Sequence, residues 1–193
     1  QNLTDEQLKH FLERCYSQSN RLSCLVQDIS QLSDMSAAQR AKMELLDLSP
    51  IVSNMLLEVA DKVAEQNITV ANNLPEKLVL NGDPSMLYSI FRNLIDNAIS
   101  YAGEGATITI SCFRSDEQFY YFSFSDNGAG VPEEHLPRLF ERFYRVDKGR
   151  SRKLGGTGLG LAIVKNAVAL HGGTISARTA VGGGLEFVFK LQR

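Results

Sequence analysis

The residues able to do chemistry gather in the second half of the chain. Three glycine clusters stand there: Asp126-Asn-Gly-Ala-Gly130, Gly155-Gly-Thr-Gly-Leu-Gly160 and Gly182-Gly-Gly184. Glycine permits positive φ and lets a backbone approach a ligand closely. The middle cluster runs straight into a helix expected to begin near Thr157. Backbone N–H groups at such a helix start, together with its dipole, can cradle phosphate. Neither common phosphate-binding architecture fits, however. GxxxxGK[ST] is absent, and the cluster follows a basic loop, Lys148 to Lys153, where a dinucleotide fold needs a strand. Taken alone, a glycine-rich turn is more often only a turn.

Asn93 and Asn97 are four residues apart on an expected helix, so they share a face. Asparagine is disfavoured inside helices, and two on one face need a reason. One reason is structural, a hydrogen bond to a neighbouring loop. The other is a magnesium site, because Mg²⁺ takes oxygen ligands and shares substrate phosphates. Spacing alone leaves the two level. Asp126 ends an apolar strand. It reads as a turn residue, or as a carboxylate accepting a hydrogen bond from a base amine. Such a buried pair discriminates strongly, because an unpaired polar group is costly.

The elements that must position these residues are legible from periodicity. A long helix is expected over 5–34, opened by a capping box of Thr4 and Gln7. Apolar residues then recur every seven positions, as Leu8, Cys15, Leu22 and Ile29 and as Phe11, Leu25 and Leu32, the second set interrupted by Gln18. Leu12 and Val26 widen the stripe. This is the seam of a coiled coil or bundle, which needs partner helices. The alternative is a helix packed on its own domain. A polar connector over 36–42 separates it from residues 43–193, which are long enough to form one compact domain.

Within that domain a short strand holds Leu45, Leu46 and Leu48. Ser49-Pro50 is an N-cap with proline at the first helical position, and the helix is expected to reach about Gln66. Alternation predicts strands at Ile68–Val70 and Leu78–Leu80. Asp83-Pro84 opens a helix through Tyr101. Two strongly alternating strands follow around Ile108–Cys112 and Phe122–Phe124, then a helix from about Thr157 to Leu170. Strands near 174–179 and 185–191 close the chain. The pairing is hairpin-like, so helices should layer on one face of a mostly antiparallel sheet, an α+β fold.

Composition excludes several classes. Formal net charge is −2, which suggests no nucleic-acid partner. The three cysteines (Cys15, Cys24 and Cys112) fall in no CxxC pattern and read as free thiols. The three histidines have no metal spacing. No apolar run approaches the roughly 20 residues that span a bilayer.

The order of the motifs breaks the ties. Asn93-x-x-x-Asn97, then Asp126-x-Gly-x-Gly130, then Phe140-Glu-Arg-Phe-Tyr-Arg145, then Gly156-Thr-Gly-Leu-Gly-Leu161 resembles the catalytic domain of sensor histidine kinases. That domain belongs to a superfamily with gyrase-type, mismatch-repair and chaperone ATPases. The resemblance covers about Leu48 to Leu191. Each motif is weak alone, and the four in sequence are specific. Residues 1–42, the helix expected over 5–34 with its connector, likewise resemble the family's second dimerisation helix.

The resemblance implies a two-layer α/β sandwich, the Bergerat-type ATP-binding fold, preceded by the dimerisation-type helix. It implies ATP and Mg²⁺ as ligands. Asn97 matches the Mg²⁺-binding asparagine, and Asn93 its partner near the phosphates. Tyr101 matches the aromatic packed on adenine, and Asp126 the acceptor of the adenine amine. Gly128 and Gly130 match the close turn beneath the base. Tyr144 and Arg145 end the Phe-Tyr-Arg stretch, whose arginine reaches the phosphates. Gly156, Thr157, Gly158, Leu159 and Gly160 match the loop that wraps the triphosphate. Residues 146–154 match a mobile lid, with Phe140 and Phe143 as its anchors.

Two departures stand out. Ser100 replaces a lysine that often contacts phosphate, predicted to weaken ATP binding by about 1 kcal/mol. Leu185 stands where threonine or serine is common. None of the histidines fits the family's phosphoacceptor motif. His10 precedes Phe11, His135 follows Pro132, and His171 precedes Gly172-Gly173; each reads as structural. The chain starts at Gln1, and the acceptor helix is expected to lie in a longer parent sensor kinase.

The implied activity is transfer of the ATP γ-phosphoryl to that absent histidine, then to an aspartate of a response-regulator receiver domain. The parent is expected to be a homodimer with this portion cytoplasmic and an anchor in the inner membrane. A hydrolase of the same superfamily would need a glutamate base where Asn93 stands. A protein-serine kinase of this fold conflicts with the long helix. The remaining alternative is a nucleotide-binding pseudokinase or scaffold without catalysis.

Overall fold

The computed structural model describes residues 4–36, 42–146 and 156–193. The core of the expected connector, 37–41, and most of the expected lid, 147–154, lie outside the described residues. Among the described residues no helix is long and apolar enough to cross a membrane.

Helix α1 spans Asp5–Ser36. Its predicted capping box forms reciprocally: Thr4 N–H donates to Gln7 Oε1 at 3.0 Å, and Gln7 N–H to Thr4 Oγ1 at 3.3 Å. Most of the stripe faces solvent; Leu8, Phe11, Leu12, Leu22, Val26 and Ile29 are exposed. Near its C-terminal end the helix packs on the body of the protein. Leu32 is buried there, and Leu25 is packed against the core. The C-terminal stretch of the helix is therefore packed on its own domain, while the rest of the stripe is exposed.

Strand β1 (Glu44–Asp47) pairs antiparallel with β3 (Val79–Gly82) as a separate two-stranded ribbon. Helix α2 (Leu48–Glu58) follows, and the structure corrects its expected start. Asp47, not Ser49, is the N-cap; its Oδ1 accepts from Ser49 N–H at 3.1 Å and Leu78 N–H at 2.9 Å. The Ser49 hydroxyl instead donates to the Pro75 carbonyl at 2.8 Å. A second correction lies at Val59, where the expected single helix breaks and α3 (Ala60–Glu65) begins. Val59 leaves helical geometry while its side chain is fully buried, so core packing overrides local helix preference.

Five strands form the main sheet in the order β2-β4-β5-β7-β6. They are β2 (Thr69–Asn73), β4 (Thr107–Ser115), β5 (Phe119–Asp126), β6 (Thr174–Thr179) and β7 (Leu185–Gln192). Only β2 and β4 run parallel, and helix α4 (Pro84–Tyr101) lies in the connection between them. On β4, β5 and β7 residues of one parity are buried, among them Ile108, Ile110, Phe122, Phe124, Phe187 and Phe189. Helices α2, α4 and α5 (Gly160–Leu170) cover that face. Phe122 stacks on Phe189 with ring centres 5.1 Å apart, and Phe91 of α4 meets both edge-on. The α+β layering expected from the alternation is therefore present.

One clamp joins the helical layer. Asp83 caps α4 by accepting from the N–H groups of Ser85 and Met86. Its own N–H donates to Nε2 of buried His171 at 3.1 Å, and Nδ1 lies 2.7 Å from the Ala167 carbonyl. An amide donor at Nε2 requires an unprotonated nitrogen there, so Nδ1 carries the proton. Burial pushes the His171 pKa down, which agrees with a neutral ring.

Candidate functional site

The C-terminal half of α4, the turns after β5, the start of α5 and the start of β7 line a cavity of about 360 Å³. Asn93, Asn97, Tyr101, Gly130, Tyr144, Arg145, Gly156, Thr157, Gly158 and Gly160 line it. Ten of the thirteen site residues expected from the resemblance are thus gathered around one space.

Helix α4 supplies the first wall. The Asn93 Nδ2 donates to the Ser89 carbonyl at 2.8 Å and lies 3.1 Å from its hydroxyl. That leaves Oδ1 turned toward Gly160; a Cβ on Gly160 would sit only 2.7 Å from it. The structural reading of this asparagine and a ligand reading are compatible, since different atoms serve each. Asn97 stands one turn on. Ser100 folds back, its hydroxyl donating to the Asp96 carbonyl at 2.7 Å. It presents no cation to the cavity.

Asp126 and Gly128 lie behind the lining, not in it. The Asp126 carboxylate accepts from Gly128 N–H at 2.9 Å and from Leu185 N–H, which turns it into the loop. Burial nonetheless raises its pKa against those two bonds. A Cβ on Gly128 would lie 2.5 Å from the Ala102 backbone, so this glycine is required for the turn to touch the end of α4. Leu159 is a clearer departure. It is fully buried in the core, and only its backbone belongs to the loop.

The phosphate-loop candidate is irregular for longer than periodicity suggests. Helix α5 begins at Gly160, three residues after the expected Thr157, because Gly158 adopts φ +77°. Its N-cap residue is Leu159, and among the described residues no side chain caps its first N–H groups. Such uncapped donors are the raw material of an anion site. Gly158 accepts a hydrogen bond from Phe143 N–H at 2.8 Å, which ties the loop to the Phe-Tyr-Arg stretch. Phe143 has φ +64° and is exposed, so it does not anchor a lid through burial, whereas Phe140 packs edge-on against Phe187.

Arg145 provides the sharpest electrostatic signal. Its Nη2 is buried and has no hydrogen-bond partner among the described residues. A desolvated guanidinium nitrogen without an acceptor is costly. Beside Arg145 on the cavity wall, the arrangement offers an uncapped helix start and α4 carboxamides. Those groups suit a polyanion carried on an apolar body.

Sequence reasoning missed one contact altogether. The Thr157 hydroxyl donates to Asp28 Oδ2 at 2.6 Å, joining α1 to the glycine loop. Burial raises the Asp28 pKa, and the Thr157 bond partly opposes that. No periodic pattern links residues this distant in sequence. Asp96 and Leu139 also line the cavity without a motif to announce them.

Residues 82–193 match the family model described as histidine kinase-, DNA gyrase B-, and HSP90-like ATPase. Sensor histidine kinase WalK of Bacillus subtilis is 36% identical over 184 residues, covering 94% of this chain and 30% of WalK. Sensor-like histidine kinase SenX3 of Mycobacterium tuberculosis is 38% identical over 189 residues, 96% of this chain and 45% of SenX3. The chain therefore spans less than half the length of these curated relatives. Among solved structures, full-length ShkA in complex with AMPPNP superposes with a TM-score of 0.78 at 26% identity, covering 99% of this chain and 40% of ShkA.

Proposed function

The chain belongs to the family of histidine kinase-, DNA gyrase B- and HSP90-like ATPases, and on that premise we propose that it is the ATP-binding catalytic portion of a sensor histidine kinase. The observation that carries this reading is the buried Arg145 Nη2, without a hydrogen-bond partner among the described residues, beside the glycine loop and two asparagines in one cavity. ShkA, similar along nearly all of this chain, was crystallised with a nucleotide analogue.

In this reading Arg145 and the N–H groups at Gly156–Gly160 receive the phosphates. The carboxamide oxygens of Asn97 and Asn93 suit a hard divalent cation that shares phosphate oxygens. Among the described residues no group of His, Cys, Asp and Glu is gathered at metal-binding distance, so the remaining ligands would come from nucleotide and water. Mg²⁺, when bound, neutralises charge that develops on the transferring phosphoryl group. Tyr101 flanks the adenine, and Asp126, from behind the lining, accepts from its amine on lone pairs that the Gly128 and Leu185 N–H groups leave free. The half-buried carboxylate makes an analogue without that amine costly to bind.

The γ-phosphoryl would pass to a histidine supplied outside this chain, and onward to a response-regulator aspartate. We assign residues 1–42 to the dimerisation helix and connector, and 43–193 to the catalytic domain. The exposed stripe of α1 suits a homodimeric helical bundle in a parent kinase, which we place at the cytoplasmic side of the inner membrane. The folded-back Ser100, which leaves no cation there, favours the alternative of a nucleotide-binding module without catalysis.

The test is calorimetry of Mg·ATP binding to the chain and to Asp126→Asn, followed by phosphoryl transfer to a supplied acceptor helix. Binding abolished in the variant, with transfer by the parent, establishes the kinase reading. Binding without transfer leaves the module alone. No binding by the parent refutes both.

A further inference from the structure

We propose that His135 is a positioning residue of the nucleotide site, acting with Arg138 to clamp Tyr144 and so to aim Arg145 into the cavity. This rests on the reading of Arg145 as a phosphate-binding group. His135 lies in the short 3-10 helix Glu133–Arg138, outside every glycine and asparagine motif.

The clamp has two jaws. His135 Nδ1 lies 2.6 Å from the Tyr144 hydroxyl, a short and therefore well-formed contact. The Arg138 guanidinium sits 4.2 Å above the centre of the Tyr144 ring, within range of a cation–π attraction. Arg138 is itself held, its Nε and Nη2 donating to the Glu141 carboxylate at 3.1 and 3.0 Å. The Tyr144 N–H donates to the Glu141 carbonyl at 3.2 Å. Ring, hydroxyl and backbone of Tyr144 are thus each restrained by the same turn.

Arg145 is the next residue, and its position needs explaining. A free guanidinium seeks water, yet its Nη2 is buried with no partner among the described residues. Something must hold the chain so that the side chain cannot swing out. Phe143 is tied on one side by its N–H to the Gly158 carbonyl. Tyr144 is tied by the clamp. Together they leave the backbone at Arg145 little freedom, which preorganises the cation before any anion arrives. The phenol–imidazole contact survives a change in ring charge. A neutral imidazole accepts the phenol proton at Nδ1, and a protonated ring donates to the phenol oxygen. An asparagine amide can make either bond.

The experiment is calorimetry with Mg·ATP and with adenosine on the full chain, His135→Ala, His135→Asn, Arg145→Gln and the His135→Ala/Arg145→Gln double variant. His135→Ala should weaken Mg·ATP binding by about tenfold, the equivalent of one hydrogen bond of about 1.4 kcal/mol, and leave adenosine binding unchanged. His135→Asn should recover most of the loss. The double variant should bind no more weakly than Arg145→Gln, because the clamp acts through Arg145. The proposal is overturned if His135→Ala binds Mg·ATP like the parent. It is overturned equally if adenosine affinity falls in step, or if the double variant loses the two factors independently. A parent that fails to bind Mg·ATP removes the underlying phosphate reading and this one with it; a binding parent with an indifferent His135 removes this one only.

Discussion

Alanine at Gly160 should separate the nucleotide site from the fold. Gly160 opens α5 without a positive φ, so alanine suits its backbone. In a helix interior the exchange gains up to about 1 kcal/mol, and less in the first turn. The new Cβ would stand 2.7 Å from Asn93 Oδ1, closer than real Cβ contacts come. That oxygen ends a side chain, so it can yield. Yielding rotates the carboxamide and strains the two contacts of Nδ2 with Ser89, at 2.8 and 3.1 Å. The strain should cost about 1 kcal/mol, near the worth of one such bond. Gain and cost nearly cancel in the fold. They do not cancel in the site, where the displaced oxygen borders the proposed phosphate position. Mg·ATP affinity should fall about tenfold or more, while the melting temperature shifts by only a few degrees. Calorimetry and thermal melting of the same preparation read both. Gly128→Ala is the contrasting control: its Cβ would meet the Ala102 backbone at 2.5 Å, which cannot yield cheaply, so it should lose fold and binding together. Unchanged Mg·ATP affinity in Gly160→Ala, or a collapse like that of Gly128→Ala, would refute the reasoning.

Further expectations concern charge and the α1 contact. Burial raises the Asp126 pKa, so the fold favours its protonated form; its contribution to stability is full at low pH and lost as pH rises through the raised value. An adenine amine needs the ionised acceptor, so Mg·ATP affinity of the parent should drop as pH falls through that same value in a calorimetric pH series, and an affinity that stays flat there would contradict the acceptor role. His171 has the opposite sign. Its pKa is lowered, so its contribution is full above the ordinary histidine value of about 6.5 and lost as pH falls below it. Thermal melting should show this acid-side loss in the parent and a smaller one in His171→Gln; equal slopes would contradict the neutral clamp. Thr157→Val removes the donor to Asp28 and should weaken α1 docking by about 1 kcal/mol. Amide exchange should then quicken around Leu25–Leu32 and stay slow in the sheet, whereas unchanged exchange in α1 would show that the packing of Leu25 and Leu32 suffices to hold the helix.

How much of this was legible beforehand depends on the range of the interaction. The Thr4–Gln7 capping box, the Asp83-Pro84 helix start and the alternating strands are local, and each appears where residue order places it. The four motifs were legible too, because each is a short run, ambiguous alone, and their common order is specific. Less legible was where an element stops. Ser49 looked like a cap, but Asp47 takes that role because its carboxylate also reaches Leu78 on the neighbouring strand. The helix after it breaks at Val59 because the core claims that side chain.

The sequence by itself determined the layer architecture and the residue types of the site. Hydrophobic period and glycine placement act within a few positions, and they need no knowledge of the rest of the chain. Tertiary structure alone decided which atoms face the cavity. Asn93 presents its oxygen because Ser89 takes its nitrogen, Asp126 sits behind the wall because two backbone N–H groups hold it, and Leu159 belongs to the core. It alone brought Asp28 to Thr157 and His135 to Tyr144. Such contacts between separate elements depend on packing, and packing is a property of the folded whole.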